Sequence, residues 1–311
     1  MKIDLNKILV IFILIFVGKF TKVNAQQDSQ YTQYMYNTMT FNPAYTGTRE
    51  MFSAIALYRN QWTGLDGAPE TMNFSMHSPV GEKVGLGFSI TNDRIFIANE
   101  TAIDFTFSYI MNVSYRGKIS LGLKAGMNLF DIDFSRVNTG SPGGGDPSVQ
   151  YNVDNEFSPQ IGAGAYYYTD RFYVGVSIPN MLETEHFDES SNSTAGERLH
   201  FYAITGYVFN FSNDVKFKPA ALVKAVSGAP LQVDVSANFL FYDKFSLGAA
   251  YRWDAAMSAL AGFQIDDKLM IGYAYDWETT PLAQYNGGSH EVFLRYELFN
   301  RRKKIISPRF F

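Results

Sequence analysis

From residue 51 to residue 299 the chain keeps a two-residue hydrophobic period through many short segments broken by Gly, Asn, Asp and Pro, which excludes a helical fold. In residues 101–112, Ile103, Phe105, Phe107, Tyr109 and Met111 share one face, and Ala102, Asp104, Thr106 and Ser108 share the other. Only Ile110 breaks the rule there. Ile119, Leu121, Leu123, Ala125, Met127 and Leu129 alternate with Ser120, Gly122, Lys124, Gly126 and Asn128. The same holds for Val233, Val235 and Phe239 against Asp234, Ser236 and Asn238, and for Val292, Leu294, Tyr296 and Leu298 against Glu291, Arg295 and Glu297. A helix would scatter each set around its circumference.

Fourteen such segments are predicted, near 50–60, 70–78, 83–92, 100–112, 118–130, 157–168, 171–178, 198–211, 215–225, 230–242, 244–253, 256–265, 268–277 and 290–299. Connection lengths alternate as well. Tight links at 79–83, 113–117, 169–170, 212–214, 243 and 266–267 take every second place, with longer ones at 61–69, 131–156, 179–197 and 278–289 between them. Links near 226–229 and 254–255 are short, so the asymmetry is incomplete. Outer-membrane barrels show this pattern, with short turns on the periplasmic side and longer loops outside. A soluble sandwich or propeller also alternates, but its outer face would carry more charge than a chain that is 18% charged and 46% hydrophobic supplies. The expectation is an all-β fold: a transmembrane antiparallel β-barrel of about 14 strands over residues 49–299, with bulky side chains in lipid and small or polar ones lining the lumen.

The first 25 residues read as an export signal. Lys2 and Lys7 give a positive start, residues 8–17 an apolar core of ten residues, and Val23-Asn24-Ala25 a small-residue cleavage site between Ala25 and Gln26. Ten apolar residues are too few for a spanning helix, and no longer apolar run exists. Cleavage removes four Lys and one Asp from 26 basic and 30 acidic side chains, leaving 22 against 29 and a net charge of −7. That balance argues against a nucleic-acid binder. The absence of Cys excludes a disulfide scaffold, thiolate-held metals and a lipidated amino terminus.

Catalytic chemistry is missing from the pattern. His77, His186, His200 and His290 are far apart, and His290-Glu291 opens an H-E-x-x-H match that Leu294 breaks. There is no nucleophile elbow and no phosphate-gripping loop, and Asp131 with Asp133 reads as a solvated pair before it reads as a calcium site. No enzyme, cofactor or metal is expected. What remains is binding. Lys124, Lys216, Lys218, Lys224, Arg252, Glu291, Arg295 and Glu297 fall on the face opposite the bulky residues, hence in the lumen, where mutual pairing is the simplest account of them. Glu183, Glu185, Asp188 and Glu189 make one loop acidic. Residues 26–48 lack alternation and contain Asn42, Pro43 and Ala44; the segment begins on the periplasmic side and either folds up into the lumen as a hatch or hangs as a periplasmic arm. Residues 300–311 carry Arg301, Arg302, Lys303, Lys304 and Arg309, a basic tail suited to an interface or to docking a periplasmic protein.

The two termini also carry a resemblance. The run Gln27-Asp28-Ser29-Gln30-Tyr31-Thr32-Gln33-Tyr34-Met35-Tyr36-Asn37, then Asn42-Pro43-Ala44-Tyr45-Thr46-Gly47 and Arg59-Asn60-Gln61-Trp62, resembles the PorP/SprF family of type IX secretion outer-membrane proteins. Ser289-His290-Glu291-Val292-Phe293-Leu294-Arg295-Tyr296 and the closing Ser307-Pro308-Arg309-Phe310-Phe311 are similar to that family's carboxy-terminal signature. The resemblance implies an outer-membrane barrel in protein export and, in many bacteria, gliding. Its implied partners are outer-membrane lipid, a secreted adhesin with a carboxy-terminal sorting domain, and periplasmic ring or peptidoglycan-binding components. Asn42-Pro43-Ala44 is also similar to the hatch of FadL-type fatty-acid transporters, so a transporter of hydrophobic small molecules is the second expectation.

Overall fold

The computed structural model describes residues 29–136, 152–182, 185–186, 195–196, 199–226 and 229–298. Fourteen strands account for most of them: β1 (Phe52–Asn60), β2 (Glu70–Val80), β3 (Val84–Ile95), β4 (Ala98–Asn112), β5 (Lys118–Ile132), β6 (Val153–Tyr168), β7 (Phe172–Ile178), β8 (His200–Tyr207), β9 (Val215–Val226), β10 (Gln232–Phe241), β11 (Phe245–Arg252), β12 (Ala256–Gln264), β13 (Leu269–Glu278) and β14 (Ser289–Leu298). Each is antiparallel to its neighbours. The first and last strands pair from Phe52 with Leu298 to Asn60 with His290, so the sheet closes and leaves no edge. A closed barrel satisfies every strand hydrogen bond internally, which is what lets strands cross hydrocarbon. Among the described residues no helix is long and apolar enough to cross a membrane.

The alternation predicts all fourteen strands. Differences lie at their ends. β3 and β4 continue to Ile95 and from Ala98, leaving a two-residue tip at Phe96 and Ile97, so a third link on the long-loop side is short. Phe96 there has φ 56°, and its N–H donates to the Gly67 carbonyl at 3.0 Å. β6 starts four residues earlier than its apolar pattern, through Asn155 with φ 51° and a register shift against Phe130 and Ile132. β8 stops at Tyr207; the Val208 N–H turns to the Arg171 carbonyl at 2.8 Å, and Phe209–Asn210 pairs with Phe217 and Lys216. A two-residue ladder, Glu185–His186 with Ala195–Gly196, lies in the β7–β8 connection.

The barrel is inside-out relative to a water-soluble domain. Phe105, Phe107, Leu121, Leu123, Val176, Phe201, Val235, Met257 and Leu294 are exposed on the outer face, while Ser, Thr, Asn and charged side chains are buried on the inner face. Lipid solvates the first set.

A lumen filled by residues 29–49

Residues 29–49 lie within the barrel. Their hydrogen bonds reach Glu291 on β14, Asn73 on β2, Thr106 on β4, Ser177 on β7 and Ser236 on β10, strands distributed around the whole wall. Only a segment inside the barrel can touch all of them. Tyr34, Met35, Tyr36, Met39, Phe41 and Tyr45 form one buried cluster with Ile55, Leu57, Tyr166, Tyr173 and Phe293 from the wall. The chain runs from the long-connection end, where Gln30 Nε2 donates to Gln232 Oε1 at 3.1 Å, to the short-turn end, where Arg49 pairs with Glu297. The sequence reading starts this segment at the short-turn side; in the structure its first described residues lie at the other end.

Three arrangements hold the segment. At the long-connection end Arg59 donates from Nη2 to Asp276 Oδ2 at 2.7 Å, and from Nη1 to Glu291 Oε2 at 3.1 Å and Thr32 Oγ1 at 2.8 Å. Thr32 Oγ1 donates in turn to Asp276 Oδ2 at 2.7 Å. The Glu291 carboxylate accepts the backbone N–H of Thr32 and of Gln33, each at 2.8 Å. Arg59 and Glu291 are both 1% exposed, so these are desolvated, charge-assisted bonds.

Midway, Asn42-Pro43-Ala44 rests on glycines of the wall. Asn42 Oδ1 accepts the Ala44 N–H at 2.9 Å and caps a one-turn 3-10 helix, Pro43–Tyr45. Pro43 suits the first position of that turn, where its missing N–H costs nothing. Opposite it, Gly122 has no room for a Cβ, which would meet Ala44 N and the Pro43 carbonyl carbon; at Gly164 a Cβ would meet the Asn42 amide. These strand glycines mark the close approach of a second backbone. Gly47, at φ +75°, seats its Cα side against Gly85, where an added Cβ would come within 2.7 Å of the Gly85 Cα.

At the short-turn end Glu297 faces Arg49 and Arg295, the latter at 3.6 Å, and Arg49 Nη1 donates to the Tyr45 hydroxyl at 3.2 Å. His77 Nδ1 accepts the Gly47 N–H at 3.2 Å. Lys218 and Arg295 lie 5.4 and 5.6 Å from the Tyr36 ring centroid, a cation-π arrangement. Burial pushes the Tyr34 and Tyr36 hydroxyls up from the ordinary phenol value, against the opposing bonds to Ser236 and Ser246. Burial would lower the Arg49 guanidinium, and Glu297 with Tyr45 reverses that, so it sits above its usual value.

Of the eight expected lumen charges, Lys124, Lys218, Lys224, Arg252, Glu291, Arg295 and Glu297 are buried inside. Lys216 stands at the short-turn rim, half-buried and paired with Asp243. Lys124 pairs with Asp104 at 3.1 Å and Arg252 with Asp234 at 2.9 Å. The pattern did not single out Arg59, Asp276, Asp104, Asp234 or Arg49, each as deeply placed as those named. Three of the five had a signal: Asp104, Asp234 and Asp276 all fall on the small-residue face of clearly alternating strands. Ala25, Gln26, Arg301, Arg302, Lys303, Lys304, Arg309, Glu183, Asp188 and Glu189 lie outside the described residues, as does the Glu185 side chain.

The His186 side chain lies outside the described residues; the pairs His290-Glu291 and Asp131 with Asp133 are occupied structurally. His290 points outward to the Tyr273 hydroxyl at 2.6 Å while Glu291 points inward, so the two share no face. Asp131 accepts the Asn155 N–H at 2.7 Å and Asp133 the Ser135 N–H at 3.1 Å, which makes both of them loop caps. Among the described residues no group of three or more His, Asp or Glu could hold a metal ion.

A closed fourteen-strand sheet with a lipid-suited exterior and a polar interior defines the class, an outer-membrane β-barrel. The chain belongs to the family described as type IX secretion system membrane protein PorP/SprF, whose model matches residues 23–296. Its setting is therefore the outer membrane and the type IX secretion machinery. No curated protein matches the chain. Among solved structures it is similar to the Acinetobacter baumannii outer membrane protein Omp33, at 10% identity over 81% of this chain and 100% of that one with a TM-score of 0.47. It is also similar to a Pseudomonas aeruginosa FadL homologue, at 15% identity over 86% and 94% with a TM-score of 0.46. A third, the CymD monoaromatic hydrocarbon channel, matches at 12% identity over 89% and 95% with a TM-score of 0.46.

Proposed function

We propose that the protein is a non-enzymatic barrel component of type IX secretion that helps export a partner adhesin or hold it at the cell surface. In this reading the short turns face the periplasm, the basic tail 300–311 meets the periplasmic machinery, and residues 29–49 act as a hatch. The supporting observation is the lumen itself. Ion pairs and backbone bonds tie the segment to the wall at both ends, so the barrel presents a binding surface rather than an open channel. A role in gliding follows if the partner adhesin is a motility adhesin.

Pull-down from native envelopes in detergent tests this reading. Recovery of a secreted protein with a sorting domain, or of periplasmic ring proteins, supports it; recovery of lipid alone overturns it. Truncation after Asn300 is expected to abolish association with the ring while the barrel still inserts. The alternative, a transporter of hydrophobic small molecules, draws on Asn42-Pro43-Ala44. Against it, the lumen beside the segment holds buried ion pairs, Lys124 with Asp104 and Arg252 with Asp234.

A further inference from the structure

The outer wall is not uniformly bulky. On β1 the outward face carries Ala54 and Ala56, while the residues paired with them are Tyr296 and Leu294 on β14 and Met76 and Phe74 on β2. β1 is therefore the floor of a trough between two taller strands. Toward the long-connection end the trough becomes an almost wholly apolar groove of about 670 Å³, lined by Ala56, Tyr58, Met72, Phe74, Ile90 and Leu294. That volume falls within the roughly 300–1,000 Å³ of sites that hold small ligands. The groove ends in polar groups. On β3, Ile90, Asn92 and Arg94 share the outward face, since Thr91 and Asp93 between them line the lumen. Asn92 Nδ2 is committed to Asn99 Oδ1 and Thr101 Oγ1, each at 2.9 Å. The Arg94 side chain is 53% exposed, and its guanidinium is held from one side, by Nη2 donating to Glu70 Oε2 at 2.5 Å. Among the described side chains, Arg94 is the exposed cation of the long-connection end; Arg59, Lys124, Lys224 and Arg252 are buried within the lumen.

We propose that this groove binds one acyl chain of a phosphate-bearing membrane lipid, with the phosphate at Arg94. The proposal follows from the barrel's place in the outer membrane and does not need the secretion reading. Environment selects a lipid, because the groove opens on hydrocarbon rather than water. Against a bulky stretch of wall an acyl chain touches protein on one side. In the trough it touches the β1 floor and the side chains of β2 and β14, and gains dispersion contacts from each. The polar end selects the headgroup. An Arg fork carries five N–H donors in a geometry that matches phosphate, and a single bond to Glu70 leaves most of them within reach. Glu70 also fixes the fork directly beyond the apolar groove, so chain and phosphate are recognised together.

The test uses the full mature protein in mild detergent, titrated with dipalmitoyl phosphatidic acid and, separately, with dipalmitoylglycerol, which has the same chains and no phosphate. Native mass spectrometry counts the retained lipid. Phosphatidic acid is expected to give one retained lipid at concentrations at least tenfold below those that dipalmitoylglycerol requires. Arg94→Gln is expected to erase that preference and leave dipalmitoylglycerol retention unchanged. Ala56→Phe, which fills the trough from its floor, is expected to weaken retention of both lipids tenfold or more. Heat-dependent gel mobility confirms that both variants are folded barrels. Equal retention by wild type and both variants, or no retention of phosphatidic acid, overturns the proposal. A wild-type dimer that Ala56→Phe converts to monomer overturns it too, as does a protein that co-purifies with wild type and is lost from Ala56→Phe, since either puts protein in the groove.

Discussion

Replacing Glu291 by Ala removes the acceptor of two backbone N–H groups, those of Thr32 and Gln33, and one of the two carboxylates that neutralise Arg59. Each orphaned buried donor costs about 1–3 kcal/mol. Stripping one partner from a buried ion network costs about 3–5 kcal/mol in full, but Asp276 remains at 2.7 Å from Arg59, so the ionic part falls below that range. Water entering the vacated space recovers some of each term. A net loss of about 3–5 kcal/mol in the closed state of the segment is the working figure, and at 1.4 kcal/mol per decade it raises local opening by roughly two to three and a half decades. Strands β1–β14 keep their ladders, so the loss is local rather than global. Hydrogen exchange on detergent-solubilised protein reads it directly, because the affected amides are themselves the probes. Thr32, Gln33 and the amides up to Tyr36 are expected to exchange at least a hundredfold faster in the variant, with amides of β4–β6 unchanged. Unchanged protection at residues 32–36 would mean that Glu291 does not hold the segment, and the latch would be discarded. Uniform acceleration through the strands would also refute the reasoning, since it would show that the carboxylate supports the barrel instead.

Gly122→Val is expected to expel the segment while leaving a heat-modifiable barrel, because its Cβ would coincide with the Asn42-Pro43-Ala44 backbone; protease that fails to cut near residues 40–46 in folded variant would refute the glycine seat. Phe107→Arg, on the lipid face of β4, is expected to cost about 2–4 kcal/mol near the bilayer midplane in a denaturant titration with vesicles, and near-zero cost would remove Phe107 from the hydrocarbon. The segment is also expected to loosen in alkali. Tyr34 and Tyr36 have phenol pKa values raised by burial, so their contribution is complete below the unfolded value near 10 and is lost as pH rises above it. Absorbance at the phenolate band should therefore show these two ionising only as exchange protection of residues 32–36 disappears, and a double Tyr→Phe variant with the same alkaline loss would refute the assignment.

The sequence carried the barrel more fully than the lumen, for a physical reason. Lipid on one side and a small-residue interior on the other force strict alternation, as in Phe105, Phe107 and Tyr109 against Asp104, Thr106 and Ser108, so the period is written into every strand. The inner charges Lys124, Glu291 and Arg295 followed from the same parity. Arg59 did not, because β1 presents Ile55 and Leu57 inward and Ala54, Ala56 and Tyr58 outward, apolar on both faces. Ile55 and Leu57 face inward because they pack on the lumenal segment rather than on water. The direction of residues 29–49 was hidden as well. It is set by pairings between residues more than 200 positions apart, Thr32 with Glu291 and Gln30 with Gln232, which no local pattern encodes.

Those distant pairings also couple the segment to barrel closure. β14 supplies Glu291, Phe293, Arg295 and Glu297, while β1 supplies Arg59, Ile55 and Leu57 and follows Arg49 within a few residues. The seam between β1 and β14 thus grips the two ends of the lumenal segment through ion pairs and backbone bonds, and it is also the last ladder available as the chain emerges in order. Until β14 arrives, Thr32 and Gln33 have no carboxylate and Arg49 no Glu297. A segment inserted after closure would have to thread past Tyr166, Tyr173 and Phe293 through a packed interior, so placing it before or during closure is the route with the smaller barrier. Each partner then completes the other: the seam buries its arginines only when the segment is present, and the segment finds its acceptors only when the seam is formed.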